Sequence, residues 1–264
     1  MPKQKGIIKL KGTLNGVCYY PLKGMYIKRK ATGPSRERIY NDPAFKTVKA
    51  NTQEFGGASK LSKAIRTGIL ETTKQFQDPT MSSRLTGTCY NIIQEGSGIP
   101  GKREVNLANN PQALIGFKFN KKLALDNIYR AKPIITSKKN RRIITLNIPE
   151  SSKKNLKKIP KTATHFQLIA ALSVVSGYKC RPNQKAYRPI TPKHNALGTT
   201  QKTQPLLCKI EHKNLQITLE TPVKTAVSKH ASLVVWFGIQ FIKQEGKQYY
   251  SLKNNKVMQC VTLL

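Results

Sequence analysis

Acidic side chains are scarce in this chain. Only 12 Asp and Glu stand against 47 Lys and Arg, a formal net charge of +35 over 264 residues. The few carboxylates are scattered and offer no adjacent pair for general acid–base work, although distant residues can meet in space. The four histidines (165, 194, 212 and 230) are equally sparse. No HxxxH or HExxH occurs and no Cys/His cluster has ligand spacing, which argues against a metal site. His165, in THFQL, reads as a structural histidine at a strand start. The five cysteines (18, 89, 180, 208 and 260) form no CxxC pair. Odd in number and widely spaced, they are neither a disulfide framework nor a zinc site and read as buried thiols. No GxSxG elbow appears. Long apolar runs are missing too: LVVWFGIQFI (233–242) is too short to span a bilayer, and MPKQKGIIKL has no signal-peptide core, so the expectation is a cytosolic protein. The sequence assigns no catalytic residue, metal or cofactor, and reads as non-enzymatic.

One stretch imitates a nucleotide site. GSGIPGK (96–102) matches GxxxxGK, the core of a phosphate-binding loop whose amides wrap phosphates. Arg103 stands where the magnesium-binding Ser or Thr belongs, and the stretch follows a helical pattern rather than a strand. A flexible interdomain loop is the better reading.

What the chain does have is positive charge with a core. Apolar residues make up 38%, with ten Tyr and eight Phe, so this is no disordered basic tail. A chain at +35 repels itself and attracts polyanions. Nucleic acid comes first, because phosphate contacts release counterions and need no special fold. An acidic protein or an anionic membrane face would satisfy the same electrostatics, and Lys-rich genome composition is the plain alternative. Against that alternative, a neutral solvated surface would intersperse both signs.

The chain opens as a meander. Residues 1–30 hold eight Lys or Arg and no acid. IIKLKGTL (7–14) reads as a strand with Ile8 and Leu10 on one face. Asn15-Gly16 is the favoured dipeptide for a tight hairpin turn, VCYY returns, PLKG (21–24) turns again, and MYIKRK (25–30) is the third strand. After a linker (31–40), Asp42-Pro43 is a helix start signal. The periodicity predicts a helix over 41–55 with Phe45, Val48 and Phe55 on one face, a break at Gly56-Gly57, a helix over 59–76 and a third over 79–95. Beyond a loop (96–112) the pattern becomes strands: 114–120, 131–138, 141–149, 164–175, two within 205–220 around His212–Asn214, then 231–244 and 248–264. Residues 177–204 read as a long polar loop. The expected architecture is α+β: a basic three-stranded β-meander with helices over 1–105, then an antiparallel β-sandwich, Ig-like or barrel-like, over 110–264.

The bases cluster. Lys28-Arg29-Lys30 ends the third strand, and Arg36 and Arg38 follow. Lys60, Lys63 and Arg66 recur on one helical face. Lys138, Lys139, Arg141 and Arg142 form a basic hairpin tip. From 121 to 161 there are thirteen bases and two acids. These twelve named residues are the candidate phosphate contacts. Tyr19, Tyr20 and Tyr26 beside the basic strands could stack on bases or simply fill a β face. No RNP, KH, zinc-finger or homeodomain pattern supports base-specific reading.

GIIKLKGTLNGVCYY (6–20), RIYNDPAF (38–45), KANTQEFGGASK (49–60) and SSRLT (82–86), with GFKFN (116–120), ATHF (163–166) and YYSLKNN (249–255), resemble a family of conserved proteins of Bacteroidota genomes that has no established activity. The resemblance transfers no functional residue. It implies that relatives are less basic in the β half, so that the charge there belongs to this chain.

Two functions are therefore expected. The first is sequence-non-specific binding of DNA or RNA through phosphates. The second is a structural subunit, a homo-oligomer or larger assembly of phage-like or filamentous type, joined by strand addition.

Overall fold

A computed structural model describes residues 2–22, 24–180, 186–253 and 255–264. It divides into two compact units, Met1–Lys49 and Ala50–Leu264.

In the N-terminal unit, Asn15 and Gly16 both take positive φ (48° and 72°), as the tight turn requires. They join β1 (Gly12–Leu14) to β2 (Val17–Leu22), which pairs on with β3 (Met25–Lys30) in a three-stranded antiparallel sheet. The first strand is shorter than expected. Ahead of Gly12 the chain curls, because the Gln4 side chain accepts from Leu10 N at 2.8 Å and the Lys9 ammonium donates to the Gln4 and Gly6 carbonyls. Ile7 and Ile8 have no face to bury and are 101% and 80% exposed. Pro2–Gln4 instead lies along β3, with Lys28 N donating to Pro2 O and Gln4 N to Tyr26 O. The linker forms a short helix, α1 (Arg36–Asn41), because the Ser35 hydroxyl accepts from Arg38 N. Asp42 accepts from Ala44 N and starts the next helix through a 3-10 turn at Pro43–Phe45. Ile27 is the one buried side chain among the described residues of this unit.

Helix α2 (Lys46–Thr67) runs straight through Gly56-Gly57. Glycine is needed there for space: a Cβ on Gly57 would sit 2.7 Å from the Tyr187 ring. The helix buries Glu54, Gly57, Ala58, Leu61, Ser62, Ala64 and Ile65, whereas Val48 and Phe55 face outward. Helix α3 (Leu70–Phe76) and α4 (Met81–Gln94) follow, and α4 buries Met81, Leu85, Cys89 and Ile92 as its spacing predicted. Residues 114–120 form turns rather than a strand, tied to the C-terminal strand through Phe117 and Phe119.

The strands then run β4 (Ile134–Ser137), β5 (Ile143–Ser151), β6 (His165–Ser176), β7 (Tyr178–Lys179), β8 (Arg188–Pro189), β9 (Leu197–Lys202), β10 (Leu206–Leu207), β11 (His212–Glu220), β12 (Ala231–Glu245), β13 (Gln248–Ser251) and β14 (Val257–Leu263). The supposed polar loop thus holds a true strand: β9 takes the edge of β6, with the Thr200 and Thr72 hydroxyls bonded at 2.8 Å. Of that loop, 181–185 lie outside the described residues.

In the C-terminal unit a six-stranded antiparallel sheet centres on β6 and β12, which pair over twelve positions. A three-stranded sheet, β11-β5-β4, faces it. Phe166, Leu168, Ala170, Leu172 and Val174 of β6 point into the core shared with β5 and β11; Ile169, Ala171 and Val175 point into the core shared with the helices. The sheet is therefore covered on both faces, which is why its two central strands read as unbroken apolar runs rather than alternating ones. Helices and sheet are locked by Trp236, whose Nε1 donates to Ser173 Oγ at 3.0 Å, while Ser173 donates to the Ile65 carbonyl at 2.8 Å. Because the helices share this core, the units divide at Lys49/Ala50 and not between 105 and 110.

Asp78 ties the helices to residues 118–121. Burial alone would raise its pKa. The Lys121 amide, the Thr80 hydroxyl and amide and the Arg84 guanidinium outweigh burial and hold it at about 2. A depressed carboxyl contributes stability above its unfolded value of 3.8 and loses it as pH falls through about 2. Asp78→Asn should cost about 2 kcal/mol at pH 7 and little near pH 2. Urea unfolding of both proteins at the two pH values measures this, and an equal cost at both would refute the assignment.

Candidate nucleic-acid interface

The twelve candidate residues fall into different structural situations. In the N-terminal unit Lys28, Arg29 and Lys30 lie exposed on β3 and Arg36 and Arg38 exposed on α1. Their strand alternation sends Lys28 and Lys30 to one face and Arg29 to the other. The unit carries twelve Lys or Arg against two acids, Glu37 and Asp42. Arg38 reaches Asp42 at 3.4 Å, an exposed pair of little energetic weight.

In the C-terminal unit the bases are less available. Lys60 and Lys63 are exposed on α2, but Lys60 donates to the Tyr187 carbonyl at 3.0 Å. Arg66 is half-buried and lies near Cys89, where its charge opposes the dominant effect of burial, which raises that thiol's pKa. Lys138 and Lys139 stand exposed at the β4–β5 turn. Arg141, beside them, turns inward with φ 58° and clamps three main-chain oxygens, those of Ser228 (3.0 Å), Ala231 (2.9 Å) and Leu264 (2.6 Å). Arg142 pairs with Glu220 at 2.9 Å. Sequence clustering cannot distinguish such inward arginines from outward ones, because the direction is set by partners 78 to 123 residues away.

The GSGIPGK stretch is not a phosphate cradle. The carboxylate of Glu54, fully buried, accepts from Gly101 N at 2.7 Å and from Arg103 Nη1 at 3.1 and 3.2 Å. A carboxylate thus fills the place a phosphate would need, and the loop is anchored to α2 rather than free. Beside it lies a cleft of about 290 Å³ lined by Glu95, Ser97, Glu104, Asn106, Asn109 and Asn110 among others, in which Glu95 is bonded by Asn110. Its polar groups are carboxylates, amides and one hydroxyl, without a base poised on a nucleophile.

Three of the four histidines have side-chain partners, whereas His230 is exposed. His165 opens β6 and bonds Thr164 at 2.8 Å; His194 accepts from or faces Ser228 and Thr225; His212 lies 3.0 Å from the Leu207 carbonyl. Cys89, Cys180, Cys208 and Cys260 are buried and Cys18 half-buried. Burial pushes Cys89 up to about 12 and Cys208 to about 11, so these thiols remain protonated and unreactive at neutral pH. Among the described residues no group of three or more His, Cys, Asp or Glu could hold a metal ion, and no helix is long and apolar enough to cross a membrane.

The architecture is that of an α+β protein with a helix layer and a second sheet on either side of a central antiparallel sheet. Comparison with protein-family models, with curated proteins and with solved structures returns no match.

Proposed function

We propose that this chain is a non-enzymatic nucleic-acid-binding protein that grips the phosphate backbone of DNA or RNA without reading sequence. The observation that carries the reading is the N-terminal unit: twelve bases against two acids on a scaffold with a single buried side chain among its described residues. Surface charge of one sign at that density attracts phosphates and needs no further chemistry. Lys28, Arg29, Lys30, Arg36 and Arg38 supply first contacts, with Lys60, Lys63, Lys138 and Lys139 as exposed bases of the other unit. A cytoplasmic setting fits this reading. Protein purified at low salt should carry nucleic acid, seen as a high 260/280 absorbance ratio that drops to a protein-only value after a wash in about 1 M salt, where screening is nearly complete. A protein-only ratio from the outset contradicts the proposal.

A second reading rests on β1. Among the described residues it pairs with β2 alone, so Gly12–Leu14 leaves one edge of the sheet open, with Leu14 exposed beside it. An open edge is a template for strand addition in an assembly. A discrete large native mass free of nucleic acid would favour this reading.

A further inference from the structure

Among the described residues, five cation–aromatic pairs fall in the 49-residue N-terminal unit. Lys9 lies over Tyr26 and Arg29 over Tyr20, each at 5.8 Å; Arg36 and Lys49 lie over Tyr40 at 5.7 and 5.4 Å; Arg38 lies over Phe45 at 5.6 Å. The far longer C-terminal unit shows two, Arg84 over Phe117 and Lys256 over Phe76. Core filling does not account for the rings. Tyr40 is 50% exposed, and Tyr20, Tyr26 and Phe45 are half-buried in a unit whose one buried side chain among the described residues is Ile27.

Aromatic faces bordered by cations are what an unpaired nucleic-acid strand recognises. Its bases stack on the rings while Lys and Arg take the phosphates, independently of sequence. Duplex bases are already stacked on each other and offer no free face. An arginine lying over a ring still presents its N–H edge to a phosphate. We propose, resting on the phosphate-binding reading above, that the N-terminal unit selects single-stranded DNA or RNA over duplex by stacking bases on Tyr40 and its neighbouring cation-flanked rings.

The test uses the full chain and fluorescence anisotropy at one fixed salt concentration. The probes are a labelled DNA strand, the RNA of the same sequence, and the DNA duplex, all longer than the roughly 4–16 nucleotides a binding fold covers. Both strands, or one of them, should bind about tenfold more tightly than the duplex, and the comparison shows which of the two the unit prefers. Tyr40→Ala should lose about tenfold on that strand with duplex binding unchanged. Tyr40→Phe, which keeps the ring, should bind like the parent chain, separating lost stacking from lost folding. Equal binding of strand and duplex, or equal losses for Tyr40→Ala and Tyr40→Phe, overturns the stacking inference while leaving phosphate binding intact. No binding to any of the three overturns both.

Discussion

Affinity for a mixed-sequence DNA or RNA should fall roughly 10³-fold between about 50 and 200 mM salt if six phosphates are contacted, and further if more are. Each neutralised phosphate releases condensed counterions, so the logarithm of the binding constant falls linearly with that of salt at a slope of about −0.9 per contact on duplex. Enough exposed bases are present: Lys28, Arg29, Lys30, Arg36 and Arg38 already make five, and Lys3, Lys5, Lys9 and Lys11 are exposed in the same unit. Replacing Lys28 and Lys30 together by Gln should lower the slope by about two contacts and weaken all sequences alike. Replacing Arg141 should leave the slope unchanged, because its guanidinium is bound to main-chain oxygens. Titrations at several salt concentrations measure both. A slope near zero would remove the phosphate reading altogether.

Glu54→Ala should destabilise the C-terminal unit by about 3–5 kcal/mol. Glu54 is fully buried and one of few acids in a chain at +35. Removing it strips the partner from Arg103, whose side chain is 23% exposed, and from the amide of Gly101. What is lost is less the attraction itself than the compensation for a charge and an amide already withdrawn from water. At roughly 2–4 °C per kcal/mol for a unit of this size, the melting temperature should drop by about 6 °C or more. The double variant Glu54→Ala/Arg103→Leu should recover part of the loss, since it removes the stranded charge as well. A single variant melting within about 1 °C of the parent would show that the buried pair does not hold the loop.

The same residues show where sequence reasoning succeeds. The turn at Asn15-Gly16 is local chemistry, because two successive residues at positive φ demand Asn and Gly. The helix start at Asp42 is equally local, a carboxylate accepting an amide two residues on. Helix α4 was legible because Met81, Leu85, Cys89 and Ile92 keep one period throughout. The long strands β6 and β12 were legible as apolar runs bounded by polar turns. The net charge needs no structure at all.

Tertiary structure decided the rest. Gly56-Gly57 breaks a helix by propensity, but the cost of about 1 kcal/mol per glycine is small beside the core that α2 completes with the Tyr187 ring over Gly57. Residues 7–11 alternate like a strand, yet Ile7 and Ile8 stay exposed, and local bonds from Gln4 and Lys9 prevail. Arg141 and Lys139 are two residues apart and alike on paper. One closes three distant carbonyls and the other meets solvent, since hydrogen-bond partners far along the chain set each direction. The sequence by itself determined the sign and size of the charge, the strand-then-helix-then-strand order and the local turns, all of which depend on neighbours within a few residues. Which bases face outward, and that Tyr40 stays half exposed beside Arg36 and Lys49, were decided only when the chain packed.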